Sequence, residues 1–287
     1  MSIRVHVNGQ IVSGNEARIS VFDRGFLYGD SVFETLGTVN GTMFALGEHL
    51  ERLARSASLL GIKSPALETV RSAVLETVAS SNNSESRIRI IVSRGEGWGD
   101  LDPGSAVEGT LVVLVAPRGG PTVEMYAAGV SAIVVSVMHN HPMSLDPSVK
   151  SGNYLSNVLA TGEARRAGAH EGIMCTASGG VAEGASSNVF MVKNGRVQTP
   201  ALEVGILPGI TRRHVIRLCR QQQIAVEEMS YLAPDDLRAA DEVFITSSVR
   251  GVLPVTKLDG NPVGTGVPGP VSRRIMDSYA LLAGNGS

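Results

Sequence analysis

The sequence predicts two domains of mixed α and β structure, an α+β or α/β arrangement. Strand-like and helix-like segments alternate along the 287 residues, and this length can support one large core or two medium ones. A stretch rich in Gly and Pro at residues 118–121 interrupts the pattern, as linkers do. We therefore expect a small N-terminal α/β domain at 1–118, a linker at 119–124 and a large C-terminal domain at 125–287.

The first domain is predicted to open with a β-hairpin. Apolar residues alternate on either side of Asn8-Gly9, a dipeptide that favours two-residue hairpin turns. Asn40-Gly41 follows the next strand-like run in the same way. Further along, apolar residues recur at helical spacing up to Gly61. The predicted elements are the hairpin at 5–12, strands at 31–39, 42–45, 87–93 and 109–116, and helices at 46–61 and 65–80.

The second domain shows the same two periodicities. Runs rich in β-branched residues predict strands at 131–138, 172–177 and 189–193. Apolar residues at helical spacing predict helices at 154–167 and 210–223. A further strand is predicted to lead into a hydroxyl-rich loop at 246–248.

Composition argues against several classes of function. The net charge is −2 and the isoelectric point about 6.3, with no basic patch, so nucleic acid is not an expected partner. The apolar runs are too short to span a bilayer and the N-terminus lacks the apolar region of a secretory signal. Cys175 and Cys219 form no metal-ligand motif, and His139 and His141 have no evident third ligand. We expect a cytoplasmic protein without a metal.

Lysine is scarce, which narrows the search for a reactive amine. The chain contains four lysines, and Lys63, Lys193 and Lys257 lie in turn-like, solvated contexts. Lys150 differs because it directly precedes an apolar helix. An amine that forms a Schiff base must be partly desolvated so that some of it stays neutral. Lys150 is therefore the candidate, although a lysine at a helix start is often simply solvated.

Three other segments would suit a flat, phosphorylated ring. Residues 207–211 begin a helix whose free N–H groups can bind a phosphate. Glu183 lies among small residues and could pair with a ring nitrogen. The loop at 246–248 offers hydroxyl groups. Taken singly, these segments could equally be a plain helix start, a surface charge and a turn.

The order of these segments along the chain resembles that of the class IV aminotransferases. The N-terminal half resembles the same family at 23–35 and 48–53. The resemblance implies the pyridoxal-5'-phosphate (PLP) fold type IV, with a smaller α/β domain, a larger domain with a barrel-like sheet, and the cofactor between them. It also implies a homodimer or higher homo-oligomer whose substrates are an amino acid and a 2-oxo acid.

The resemblance assigns roles to individual residues. It implies that Lys150 carries PLP and moves the substrate proton, that Tyr154 hydrogen-bonds the ring oxygen, and that Glu183 pairs with the pyridine nitrogen. An arginine suits a phosphate because it is always charged and donates in a fork. The other cofactor-binding positions that it implies are Arg52, Leu207, Gly209, Ile210, Thr211, Ser247 and Ser248.

The substrate pocket departs from the family patterns. The Arg-x-His that binds the carboxylate in D-amino-acid enzymes is absent, because Gly99 and Leu101 stand at those positions. Arg89 and Arg250 are the hypothesised carboxylate anchors, although either could instead pair with an acid of the protein. The other predicted substrate-binding residues are Tyr28, Phe33 and Trp98.

Several functions remain open at this level. The mixture of motifs favours a D-amino-acid transaminase with an unusual carboxylate site. A branched-chain L-amino-acid aminotransferase is the main alternative, because residues 150–155 resemble those enzymes. An aminodeoxychorismate lyase and a non-catalytic PLP-binding protein are further alternatives.

Overall fold

The computed structural model describes residues 2–106 and 108–284. The chain divides into two compact units. Among the described residues, the first comprises Ser2–Gly119 together with Val149–Asn153 and Gly284, and the second comprises Gly120–Ser148 and Tyr154–Ala283. The division at Gly119 and Gly120 falls inside the segment that the sequence predicts as a linker. Val149–Asn153, however, belongs to the first unit rather than to the C-terminal domain in which the sequence places it.

The first unit contains six strands and three helices among its described residues. Asn8 and Gly9 both have positive φ, as the turn of the predicted hairpin requires. The strands are β1 (Arg4–Val7), β2 (Gln10–Ser13), β3 (Ser31–Val39), β4 (Thr42–Met43), β5 (Ser86–Ser93) and β6 (Thr110–Pro117), and the helices are α1 (Arg24–Tyr28), α2 (Leu46–Leu59) and α3 (Leu67–Ser81).

The six strands form one antiparallel sheet in the order β2-β1-β6-β5-β3-β4. Helices α2 and α3 pack against it. Their apolar sides meet the inward residues of β3, β5 and β6 in one core, which includes Val32, Leu50, Leu53, Ile88 and Val113. Burial of this apolar surface is the main force that holds the unit together.

The second unit begins at the predicted linker and contains the remaining elements. Its strands are β7 (Val130–Val134), β8 (Glu171–Cys175), β9 (Val181–Gly184), β10 (Asn188–Lys193), β11 (Arg196–Pro200), β12 (Val226–Met229), β13 (Glu242–Ser247), β14 (Gly251–Leu258) and β15 (Asn261–Pro262). Its helices are α4 (Val123–Ala128), α5 (Leu155–Arg166), α6 (Ile210–Gln221), α7 (Pro234–Arg238) and α8 (Pro270–Gly284).

These strands form a mixed sheet in the order β12-β11-β10-β13-β14-β7-β8-β9, with β15 paired to β14. The chain passes from β9 at one end of this order to β10, third from the other end, through residues 185–187 alone. Gly184 and Ser187 also form a bridge. So short a connection requires the sheet to curl, which gives the half-barrel of PLP fold type IV.

The predicted elements of the first unit are largely confirmed, whereas the second unit holds more structure than the sequence suggested. Strand 31–39 is observed with the predicted bounds, and the helices differ by a few residues at their ends. The strand predicted at 131–138 ends at Val134. The sequence analysis missed α1, α4, α7, α8 and several strands, because short elements and those with mixed polarity show weak periodicity.

No helix of the described residues is long and apolar enough to cross a membrane. Within the same residues, no group of three or more His, Cys, Asp or Glu side chains is placed to hold a metal ion.

Candidate active site

Lys150 is held in the first unit by the backbone on both sides of it. The amide of Phe33 donates to the Lys150 carbonyl at 2.9 Å, and the amide of Gly152 donates to the Ser31 carbonyl at 2.7 Å. The Lys150 amide in turn donates to Ser56 Oγ at 3.2 Å. These bonds attach the segment to the start of β3 and fix the position from which the lysine side chain projects.

The Phe33 ring is the common neighbour of Lys150 and Arg89. Lys150 Nζ lies 4.3 Å from the ring centroid, and the Arg89 guanidinium carbon lies 3.9 Å from it. Arg89 is half-buried on β5, opposite Thr35 of β3. Since successive residues of a strand face opposite sides, Phe33 and Arg89 lie on the face that points away from the helices. An amine and a permanent cation are thus placed around one aromatic ring.

Arg52 is buried against a carboxylate that the sequence analysis did not consider. Its Nε and Nη2 atoms donate to the two oxygens of Glu34 at 2.6 and 2.8 Å. His49, three residues earlier on α2, lies 2.7 Å from Glu34 through Nδ1. Glu34 lies on the core face of β3 and is 0% exposed. Arg52, which was predicted to bind the phosphate, is therefore also the partner of a buried acid.

The charge of Glu34 depends on these partners. Burial by itself would raise the pKa of Glu34, but the charge and hydrogen bonds of Arg52, followed by those of His49, lower it to about 2. A bidentate arginine–carboxylate pair is one of the stronger arrangements of its kind. A guanidinium has five N–H donors, so the pairing is compatible with a second anionic partner for Arg52.

Glu183 is the central carboxylate of the second unit. It lies at the end of β9 and is buried. Its Oε2 atom accepts from Asn188 Nδ2 at 3.0 Å and from the Leu207 amide at 3.3 Å, while Oε1 lies 3.0 Å from His139 Nε2. These three contacts fix the orientation of the carboxylate. Asn188 and His139 were not predicted as site residues, and only their location in the fold reveals them.

The N-terminus of α6 lies directly beside this carboxylate. Asn188 Nδ2 also donates to the Leu207 carbonyl at 3.0 Å, which ties the turn before α6 to β10. A Cβ atom on Gly209 would lie 2.0 Å from Asn188 Oδ1, so only glycine fits at this position. Gly209 offers no side-chain acceptor to the first turn, and the N–H groups at Ile210 and Thr211 thus keep the orientation of an anion site.

Hydroxyl groups surround the same part of the second unit. Thr211 Oγ1 lies 3.1 Å from the hydroxyl of Tyr279 on α8. Thr246 Oγ1, at the end of β13, is buried and finds no hydrogen-bond partner within the described part of the chain. A buried hydroxyl without a partner is costly, and a bound oxygen-rich group would satisfy it. Ser247 ends β13 and Ser248 follows in the turn, and both are half-exposed. Ser247 Oγ accepts from the Arg250 amide at 3.4 Å.

Arg250, the second hypothesised carboxylate anchor, is paired within the protein. Its Nη1 atom donates to Glu171 Oε2 at 2.7 Å, and its Nη2 atom contacts Ser186 Oγ. Glu171 is buried and also accepts from Ser187. Arg250 thus pairs with an acid of the protein, Glu171 of its own unit, which was the alternative to its role as a carboxylate anchor.

The remaining predicted residues lie in less enclosed surroundings. Tyr28 is exposed at the end of α1, with the Arg24 guanidinium 5.0 Å from its ring centroid. Trp98 is exposed and packs edge-on against Phe22 at 6.0 Å. Tyr154 directly precedes α5 and its carbonyl accepts from the Val158 amide.

These residues fit the chemistry of PLP. Its aldehyde requires an amine, its ring nitrogen an anionic partner, and its phosphate several N–H and O–H donors. Lys150, Glu183 and the first turn of α6 meet these requirements in turn. The buried Thr246 hydroxyl, which finds no partner within the described part of the chain, indicates room for an oxygen-rich group in the second unit.

Comparison with known proteins agrees with this geometry. Residues 31–258 match the family model described as Amino-transferase class IV. The chain belongs to the class IV aminotransferases. It is accordingly a PLP-dependent transaminase, as the sequence predicted.

Two relatives show how the chain stands within the family. It is 38% identical to a putative branched-chain-amino-acid aminotransferase of Methanocaldococcus jannaschii, with 96% of this chain and 95% of that protein aligned. It is 34% identical to the D-alanine aminotransferase of Bacillus licheniformis, with 96% and 95% aligned.

The fold is shared with a solved enzyme that holds the cofactor. The branched-chain amino acid aminotransferase of T.th., solved with pyridoxamine 5'-phosphate, matches with a TM-score of 0.93 at 31% identity, covering 99% of this chain and 95% of that one. The same enzyme complexed with N-(5'-phosphopyridoxyl)-L-glutamate matches with a TM-score of 0.92 at 30% identity, with the same coverage.

The buried Glu34–Arg52 pair leads to a first prediction. Replacing Glu34 by Gln leaves the Arg52 charge uncompensated inside the unit, and we expect a loss of roughly 3–5 kcal/mol in the free energy of unfolding. Because the folded pKa of Glu34 is lowered from 4.5 to about 2, its stabilisation is present above about pH 4.5 and is lost as the pH falls towards 2. Urea unfolding between pH 2 and 7 measures both effects.

The matched control for this prediction is Glu68→Gln. Glu68 pairs with Arg71 at 3.4 Å on the exposed face of α3, where an ion pair contributes little. An equal loss of stability in both variants, or an unchanged acid dependence in Glu34→Gln, would contradict the assignment.

Proposed function

We propose that this transaminase moves the amino group of apolar L-amino acids, branched-chain ones foremost, to a 2-oxo acid. The observation that carries the proposal is the position of the Lys150 amine and the Arg89 guanidinium around the Phe33 ring. An amino acid needs its nitrogen close to the reactive amine and its carboxylate close to a cation. A buried aromatic ring beside both would favour an apolar side chain over a charged one.

Each residue has a role that follows from its contacts. Lys150 Nζ carries the cofactor and, once released from it, moves the substrate proton as a base. Glu183, held by Asn188 and the Leu207 amide, keeps an anion at the ring nitrogen. The first turn of α6 binds the phosphate. Bound PLP supplies the electron sink that stabilises negative charge on the substrate carbon.

Arg89 is the better candidate for the carboxylate anchor. An arginine stacked on an aromatic ring is pre-organised and can still donate in a fork to a carboxylate. Arg250 pairs with the buried Glu171 at 2.7 Å, so a substrate would have to compete with that acid. We propose Arg89 as the anchor and Arg250 as a residue that stabilises the second unit.

We propose an L-amino acid as the donor because of the relatives of this chain, and not because of a particular residue in it. The T.th. enzyme and the relative from Methanocaldococcus jannaschii are both named as branched-chain enzymes, and the former was solved with an L-glutamate adduct. The sequence alone favoured the D-enantiomer. A D-amino-acid transaminase remains the second candidate, because the D-alanine aminotransferase relative is 34% identical over nearly the whole chain.

The surface of α5 supports the proposal of a homodimer. Leu155, Val158 and Leu159 lie on one face of this helix and are 70%, 61% and 55% exposed. Three large apolar side chains at this spacing are unusual on a free surface and are typical of an interface. A second copy of the chain is the partner that we propose.

The donor preference can be tested by single-turnover absorbance. We expect the absorbance band of bound PLP to disappear when the holoenzyme is mixed with L-leucine or L-glutamate, and to persist with D-alanine or D-glutamate. Loss of the band with the D-forms only would replace the proposal by the second candidate. Pyruvate release from aminodeoxychorismate would identify a lyase. Lys150→Ala should not respond to any donor, whereas Lys257→Ala, near the exposed turn between β14 and β15, should behave as the wild type.

The role of Arg89 can be tested through steady-state kinetics. We expect Arg89→Ala to raise KM for both the amino acid and the 2-oxo acid roughly 10–100-fold, because a hydrogen-bonded charge to the carboxylate is lost. Arg87→Ala is the matched control, since Arg87 lies two residues earlier on the same strand and is exposed. An unchanged KM in Arg89→Ala would exclude Arg89 as the anchor.

The proposed assembly can be tested by sedimentation equilibrium. We expect a mass of twice the 30.1 kDa of the chain, and a shift towards the single-chain mass when Leu159 is replaced by Asp, because a charge is costly in a buried interface. Arg166→Asp, at the last turn of the same helix, provides a charge-changing control. A single-chain mass for the wild type would contradict the proposal.

A further inference from the structure

His139 is a buried neighbour of Glu183 that the reaction scheme above does not use. It lies in the loop between β7 and α5, and its backbone amide donates to the Cys175 carbonyl at 2.8 Å at the end of β8. Its side chain is only 10% exposed. The backbone contact fixes the ring where its Nε2 atom meets Glu183 Oε1 at 3.0 Å.

Both ring nitrogens of His139 face oxygen atoms that accept hydrogen bonds. Nε2 faces the Glu183 carboxylate, and Nδ1 lies 3.1 Å from the Asn140 carbonyl. A neutral imidazole has one donor and one acceptor nitrogen, whereas an imidazolium donates from both. Only the charged ring therefore satisfies the two contacts when Glu183 is ionised.

Within the described part of the chain, the Glu183 carboxylate has one lone-pair site that accepts no hydrogen bond. A carboxylate offers about four lone-pair sites. Glu183 Oε2 accepts from Asn188 Nδ2 and from the Leu207 amide, and Oε1 from His139. The remaining site is on Oε1, the atom that His139 holds.

We propose that His139 is a positively charged positioning residue, which orients the Glu183 carboxylate for the protonated pyridine nitrogen of PLP. The proposal rests on the assignment of Glu183 to that nitrogen. Arg52 and Arg250 hold their carboxylates with a permanent charge, whereas His139 uses a charge that can titrate. We therefore expect the affinity for PLP to change with pH as His139 gains or loses its proton, which Glu183 alone would not cause.

The surroundings of His139 are consistent with a charged ring. Burial lowers the pKa of His139, while the hydrogen bond and charge of Glu183 raise it, and the net direction is upward from 6.5. The other titratable groups around it, His141, Glu203 and Tyr231, line the same cavity of about 290 Å³. The exposure of Tyr231 and Glu203 opens this cavity to solvent, so the ring can exchange protons with water.

The protonation state can be measured directly by ¹⁵N NMR of the holoenzyme with labelled histidine. The chain has six histidines, and the resonances lost in His139→Gln identify the ring. We expect both nitrogens of His139 to carry protons at pH 7 and to titrate above the reference value of about 6.5. A ring with one unprotonated nitrogen at pH 7 would overturn the proposal, because such a ring carries no charge.

The effect on the cofactor can be measured without turnover. We expect His139→Gln to bind PLP with roughly tenfold weaker affinity when the holoenzyme is diluted, and to shift the pH at which the absorbance of bound PLP changes. His139→Arg, which keeps a charged donor, should restore part of the affinity and remove the pH dependence of cofactor release near neutrality. Wild-type affinity and an unshifted pH profile in His139→Gln would overturn the proposal.

Two further variants distinguish a failure of the proposal for His139 from a failure of the Glu183 assignment on which it rests. His141→Gln changes a histidine of the same loop and cavity that is not bonded to Glu183, and it should match the wild type. Glu183→Gln should shift the pH profile of bound PLP more than His139→Gln does. If Glu183→Gln leaves that profile unchanged, the assignment of Glu183 to the pyridine nitrogen fails. If only His139→Gln leaves it unchanged, the proposal for His139 fails and the function stands.

Discussion

The hydrogen bond between the Phe33 amide and the Lys150 carbonyl is the contact on which the placement of Lys150 in the first unit depends. Together with the bond from Gly152 to Ser31, it attaches five residues from far along the chain to the start of β3. The same strand directs Phe33 to one face and Glu34 to the other. This one strand therefore sets the neighbour of the lysine and also anchors the buried pair with Arg52 in the core behind it.

Buried carboxylates occur in both units, and they are matched by two kinds of partner. Glu34 and Glu171 are paired with arginines, whose charge is permanent. Glu183 has a histidine and two neutral donors. Removing a carboxylate from water is costly unless charge and hydrogen bonds compensate it. The two arginine pairs hold structure together, whereas the weaker and adjustable set around Glu183 leaves an acceptor site for a ligand.

The similarity to both branched-chain and D-alanine aminotransferases shows where specificity must arise. Both kinds of relative align over nearly the whole chain at similar identity, so the fold and the cofactor site do not separate them. A shared fold supports several functions, and the pocket decides among them. We propose that, in this chain, the arginine stacked on Phe33 is one feature that decides among them.

The sequence by itself determined the family and the cofactor, because the motifs follow one another in a recognisable order. It also predicted Lys150 as the reactive lysine, because four lysines left few candidates. The spacing of apolar residues predicted most elements of the first unit, because this spacing depends only on residues that are close in sequence. Only the tertiary structure revealed that Val149–Asn153 joins the first unit, that Arg250 pairs with Glu171, and that His139 meets Glu183. Each of these facts depends on contacts between residues distant in sequence, and neither residue type nor spacing carries that information.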